Sequence, residues 1–117
     1  LGNAEQTFQH WYREQARQIL TERVRLFAGQ HNLQYQKIRI GSARTRWGSC
    51  SSKGVLSFSW RLILAPMEVV DYVVVHELTH TLVHNHSSRF WKQVEKILPE
   101  YKEYNKWLRK NGQKVML

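Results

Sequence analysis

The chain has a single cysteine, Cys50, so no internal disulfide can form. A reducing compartment is implied, with cytoplasm the expected location. No run of about eighteen apolar residues occurs, which excludes a membrane-spanning helix. Internal repeats and low-complexity linkers are also missing. Because 117 residues suffice for one core but not two, a single domain over 1–117 is expected. The opening Leu1-Gly2-Asn3-Ala4 lacks an initiator Met and resembles neither a signal peptide nor an anchor, as expected of a chain trimmed from a longer one. Acidic residues are few, nine against eighteen Lys and Arg, for a formal charge of +9. Between Arg23 and Met67 there are none, while Arg23, Arg25, Lys37, Arg39, Arg44, Arg46, Lys53 and Arg61 supply eight cations. Such a block fits an anionic partner, whether nucleic acid, nucleotide or an acidic segment, or else a solvated basic face. No nucleic-acid-binding motif decides between them.

Histidine, by contrast, is concentrated: the stretch from Val73 to His86 holds four of the six in the chain. Residues four apart on a helix lie about 40° apart around the axis and about 6 Å apart along it, so His76 and His80 can grip one ion from the same face. His76-Glu77-Leu78-Thr79-His80 is the zinc metalloprotease signature: two neutral imidazoles, and a carboxylate beside the ion that can take a proton from its water. By chance the pentapeptide pattern would arise in roughly one of several hundred chains of this length. Its context strengthens it. Pro66, with Glu68 and Asp71 close behind, reads as a helix opening, and the valine-rich run that follows is apolar around most of its circumference. A helix buried on all sides must find a partner for two imidazoles and a carboxylate, and a metal is the simplest. The competing reading is a solvated helix with a chance histidine pair.

Around that helix the chain reads as α+β. Phe8, Trp11, Tyr12, Ala16, Ile19, Leu20, Val24 and Phe27 mark a long amphipathic helix from Ala4 to about Ala28, with Gly29 placed to end it. His10 and His31 stand apart and read as surface residues. Gln36–Ile40 and Val55–Trp60 read as strands, the second closing a hairpin near Ser52–Gly54, in a small, mostly antiparallel sheet. Asn85 is placed to take a left-handed conformation after the motif helix. Ser87 or Ser88 caps the next helix, Pro99 divides it from a last helical run from Glu100 to about Lys110, and Gly112 lies beyond.

A catalytic zinc takes three protein ligands and leaves a position for water. His86 follows His76 by ten residues, the separation found in the metzincin pattern, with Val83 in place of its glycine. Glu100 follows His80 by twenty, as in thermolysin-like enzymes, and His84 is nearer still. Spacing favours His86 but leaves all three open. Cys50 reads as a small core residue, as a thiolate reaching zinc, or as a nucleophile that the zinc chemistry does not require.

Four segments taken together are far more specific than the pentapeptide: Arg46-Trp47-Gly48-Ser49-Cys50-Ser51, Trp60-Arg61-Leu62-Ile63-Leu64-Ala65-Pro66, Val74-Val75-His76-Glu77-Leu78-x-His80, and Asn85-His86-Ser87-x-x-Phe90-Trp91. Over roughly residues 11 to 110 the sequence resembles the YgjP-like metallopeptidase family, relatives of the SprT-like zincins. The resemblance implies a zincin-like α+β domain with zinc on His76, His80 and His86, and Glu77 as catalytic base, and so favours His86 over Glu100. It also implies that an extended peptide or protein substrate pairs with the sheet edge above the metal helix, with Val55 to Ser59 as that edge. Arg46, Arg61 and His84 are candidate donors to the developing oxyanion. Zinc-activated water can attack phosphorus as well as carbon, so a hydrolase of nucleotides or other phosphoesters, a DNA-associated SprT-like protease and a non-catalytic zinc-stabilised module are the alternatives.

Overall fold

In the computed structural model, which describes residues 3–116, α1 runs Asn3–His31, past the expected stop at Gly29. Gly29 is exposed inside the helix, and a Cβ there would meet nothing within 4 Å, so no close approach calls for a glycine. The left-handed residue is Asn32 (φ 54°), and Leu33 donates its N–H to the Ala28 carbonyl at 3.0 Å while its side chain is buried. This cap closes where an apolar residue can return to the core. Ala16, Leu20, Val24 and Phe27 form the buried stripe of α1, whereas Phe8 and Trp11, counted with that stripe in the sequence, are 66% and 54% exposed. At about 1.5 Å per residue, the 29-residue helix simply outruns the body it packs against.

Three strands follow: β1 (Lys37–Gly41), β2 (Gly48–Cys50) and β3 (Val55–Ser59), in the spatial order β1-β3-β2. The β2–β3 hairpin forms as expected, turning through Ser51 to Gly54, where Gly54 takes φ 84°. The expectation of a mostly antiparallel sheet needs correction, because β1 pairs with β3 in parallel, from Lys37↔Val55 to Gly41↔Ser59. Residues 42–47 carry the chain across the C-terminal end of β3, so β2 starts beside Phe58 and runs back, and β3 must run with β1. It follows that Val55–Ser59 is the central strand, paired on both sides, and that the free edges are β1 and β2.

A 3-10 helix over Trp60–Leu64 leads through Pro66 into α2 (Met67–Thr79). Nine of the thirteen α2 residues are buried, with Val74, Val75 and Leu78 fully so. The helix contacts α1, β2, α3 (Ser88–Ile97) and α4 (Tyr101–Met116). A run of β-branched residues is a poor helix former by propensity, and burial from all sides overrides it. Asn85 is not left-handed. The helix ends earlier, at Thr79, where the Thr79 and Thr81 hydroxyls donate to the Val75 and Leu78 carbonyls at 2.7 and 2.6 Å. The last carbonyls need no glycine cap, because His80, Thr81 and Leu82 donate their N–H groups to Glu77, Leu78 and Thr79 at 3.0–3.2 Å. Nor does Gly112 end α4: it is buried inside the helix, and a side chain there would approach the Trp47 ring to 3.4 Å. Among the described residues no helix is long and apolar enough to cross a membrane.

One ion pair ties α1 to α2. The Arg23 guanidinium donates Nε and Nη2 to the two Asp71 carboxylate oxygens at 2.7 and 2.8 Å, in a half-buried fork. Charge-assisted bonds of this kind stabilise by about 1.5–3 kcal/mol. Arg23→Ala and Asp71→Ala should each lower the urea-unfolding free energy by about that amount. The double variant should cost clearly less than the sum, and strict additivity would show that the fork contributes nothing.

Candidate metal centre

His76 is on the last turn of α2, His80 is its C-cap and His86 comes from the segment leading to α3. Their ring nitrogens converge. His86 Nε2 lies 3.1 Å from His80 Nε2 and 3.2 Å from His76 Nε2, and the three ligand atoms all fall within 4.8 Å of one another. The His80 Nδ1–H faces the Val83 carbonyl at 3.1 Å, which puts the ring proton on Nδ1 and leaves the Nε2 lone pair for the centre of the cluster. Burial, together with neighbouring His80 and His86, holds His76 neutral, its pKa lowered to about 4. Burial lowers that of His80 as well.

Uncharged imidazoles aiming lone pairs at a common point repel unless a cation lies between them. In a tetrahedral site with metal–nitrogen bonds of about 2.0–2.1 Å, ligand nitrogens stand about 3.3 Å apart. The observed separations are close to that, so the donor set fits a divalent metal. Phe90, fully buried, is the floor: its ring centroid is 5.0 Å from His76, 4.5 Å from His80 and 5.0 Å from His86. Trp91 stacks on His86 and meets His76 edge-on. Apolar walls like these fix imidazole orientation more firmly than loop backbone can. The sequence carries their signal in the spacing from His86 to Phe90 and Trp91, though periodicity alone marks both as ordinary core.

Glu77 lies one residue along from His76, 7% exposed, and burial raises its pKa to about 7 against the opposing charge of Arg46. It is packed from above by β2. A Cβ on Gly48 would come within 3.1 Å of both Glu77 Cγ and Phe58 Cδ1, so this glycine is what lets the strand close over the carboxylate. The turn-rich composition around Gly48 hid that role in the sequence. A cavity of about 390 Å³ opens beside His76 and Glu77 and includes Tyr72, whose hydroxyl pKa is pushed up to about 12 by burial and the Glu77 charge. Tyr72 therefore stays protonated and can donate, a role that escaped the sequence reading.

Several sequence candidates lie elsewhere. Glu100 is exposed and accepts from the Tyr104 hydroxyl at 3.4 Å, and His84 borders a separate depression with Tyr35 and Lys53. Arg61 is buried, stacks on Trp60 and donates to the Ser42 carbonyl at 2.9 Å, so it braces the loop after β1. Arg46 does face Glu77. Cys50 is not among the clustered ligand atoms; its thiol donates to its neighbour Ser51's carbonyl, and burial raises its pKa.

The model of one family, described as YgjP-like, metallopeptidase domain, matches residues 2–111. The chain belongs to the YgjP-like family. A comparison with curated proteins gives no match. Among solved structures, the crystal structure of the metallopeptidase zymogen of Pyrococcus abyssi abylysin aligns with a TM-score of 0.69 at 24% identity, over 78% of this chain and 93% of that one. At that identity the likeness is one of fold, and it places this YgjP-like chain on a zincin-like scaffold. Membership in a metallopeptidase family implies a metal, and His76, His80 and His86 are the cluster among the described residues that could hold it.

Replacing His80 or His86 with alanine should reduce bound divalent metal, measured by elemental analysis after dialysis, from about one equivalent to near zero. Retention of a full equivalent in both variants would place the metal elsewhere.

Proposed function

We infer that this chain is a zinc-dependent peptidase in which Glu77 is the general base. The observation that carries the reading is the facing of three imidazole nitrogens, 3.1–3.2 Å apart along two of their edges, with a buried carboxylate next to them. Held by His76, His80 and His86, zinc would acidify a water and polarise a carbonyl oxygen. Glu77, its pKa raised to about 7, is poised to take a proton and hand it to a departing amine near neutral pH. Arg46 and the Tyr72 hydroxyl line the same cavity and supply donors for developing negative charge.

The sheet supports a peptide substrate. Ser59 donates to the Trp47 carbonyl and Ser51 to that of Val55, so odd-numbered residues of β2 face β3. Alternation then points the N–H and C=O of Gly48 and Cys50 outward, above the metal helix. An extended peptide adding there would lie across Glu77. Strand β3, paired on both sides, has no such groups to offer.

Glu77→Gln should keep its zinc and lose at least about 10²-fold in the rate of casein or fluorogenic-peptide cleavage. Undiminished cleavage would remove Glu77 from the chemistry, and turnover of nucleotide phosphoesters with none of peptides would replace the reading. Gly48→Ala should also retain zinc but slow cleavage, because the methyl group must displace Glu77 or Phe58. An unchanged rate would show that the close approach does not matter.

A further inference from the structure

The cleft beside the metal centre does not stop at His76 and Glu77. It shares Asn105 and Arg109 with a neighbouring depression of about 670 Å³ along α4, and Arg46, Trp47 and Gly48 with one of about 330 Å³ beside the ends of β1 and β3. Among the described residues Glu77 is the one carboxylate lining any of the three, and the peptidase reading commits it to the reaction centre. Cations line all of them: Lys102, Lys106 and Arg109 on one side, Arg46 in the middle, Arg39 on the other. Lys102, Lys106 and Arg109, spaced four and three apart, share a face of α4. Among the described residues none of these five makes an ion pair; the pairs present are Arg23–Asp71 and Arg17–Glu14. Adjoining depressions lined with more cations than carboxylates raise the local concentration of negatively charged guests and disfavour basic ones.

Resting on the peptidase reading above, we propose that the substrate is an acidic peptide segment, with carboxylates flanking the scissile bond on both sides. A polynucleotide would meet the same charge, but two features favour peptide. The outward N–H and C=O groups of Gly48 and Cys50 match a peptide backbone, not a phosphodiester. Beside Lys102 and Lys106 the Trp91 ring is already engaged, because it stacks on both His86 and Tyr101, and base-stacking platforms need free ring faces.

The test separates binding from turnover. Zinc-loaded Glu77→Gln protein is titrated with a fluorescent peptide carrying glutamate at alternate positions, and with its glutamine counterpart, and anisotropy is followed at rising salt. Three exposed charge pairs should make the glutamate peptide bind about tenfold more tightly at low salt, with the advantage fading as salt rises. Adding Lys102→Gln, Lys106→Gln and Arg109→Gln together should shrink that ratio, and adding Arg39→Gln and Arg46→Gln as well should bring it close to one. Lys102→Glu with Lys106→Glu should shrink the ratio further than the corresponding pair of glutamines. Equal binding of the first two peptides by the Glu77→Gln protein, or a ratio that survives both sets of variants, overturns the proposal. So does an oligothymidylate that binds more tightly and displaces the glutamate peptide, which would give the cleft to nucleic acid. If the wild type cleaves no peptide while the preference and its response to the variants hold, the peptidase reading fails and the acidic guest stands.

Discussion

The physical constraint that organises this protein is the need to hold three imidazole lone pairs against one another inside an apolar enclosure. Left alone, such nitrogens would swing apart to find water or protons. They cannot, because Phe90 packs under all three rings, Trp91 covers two, and the Val83 carbonyl fixes the tautomer of His80. That enclosure in turn demands a deeply buried α2. Hence the valine-rich helix, the Arg23–Asp71 fork that anchors it to α1, and the tight turn of backbone bonds over His80 to Leu82 that finishes it without a glycine. A bound cation then stabilises a geometry that the packing has already selected.

The same economy shows in the charges. Of the eight cations in the acid-free stretch, Arg23 is locked to Asp71 and Arg61 is buried against Trp60 and the Ser42 carbonyl. These two belong to the scaffold. Arg39 and Arg46 remain at the cleft, where they are joined by α4 cations that lie far away in sequence. A linear count of basic residues cannot separate the two kinds, because neither burial nor a partner forty-eight positions along the chain leaves a local signature.

Much of the site was nevertheless legible. A helical period of 3.6 puts His76 and His80 on one face wherever the helix lies, and a return of His86 within six residues of His80 leaves few directions for its ring. What sequence could not supply were choices made by tertiary competition. Asn32, not Gly29, ends α1 because Leu33 needs the core. Gly112 lies inside α4, buried beside the Trp47 ring, and does not end the helix. The parallel β1–β3 ladder depends on where residues 42–47 cross, and with it the identity of the free edge changes from β3 to β2.

That last feature bears on how the molecule behaves at high concentration. An exposed sheet edge invites pairing between copies of the same chain, the first step toward aggregation. Here the edge above the metal helix is three residues long, and the other edge carries Lys37 and Arg39 on its exposed positions. One is too short to template a growing intermolecular sheet, and the other repels its own kind. The protein can thus leave backbone groups open to a guest chain without becoming a guest of itself.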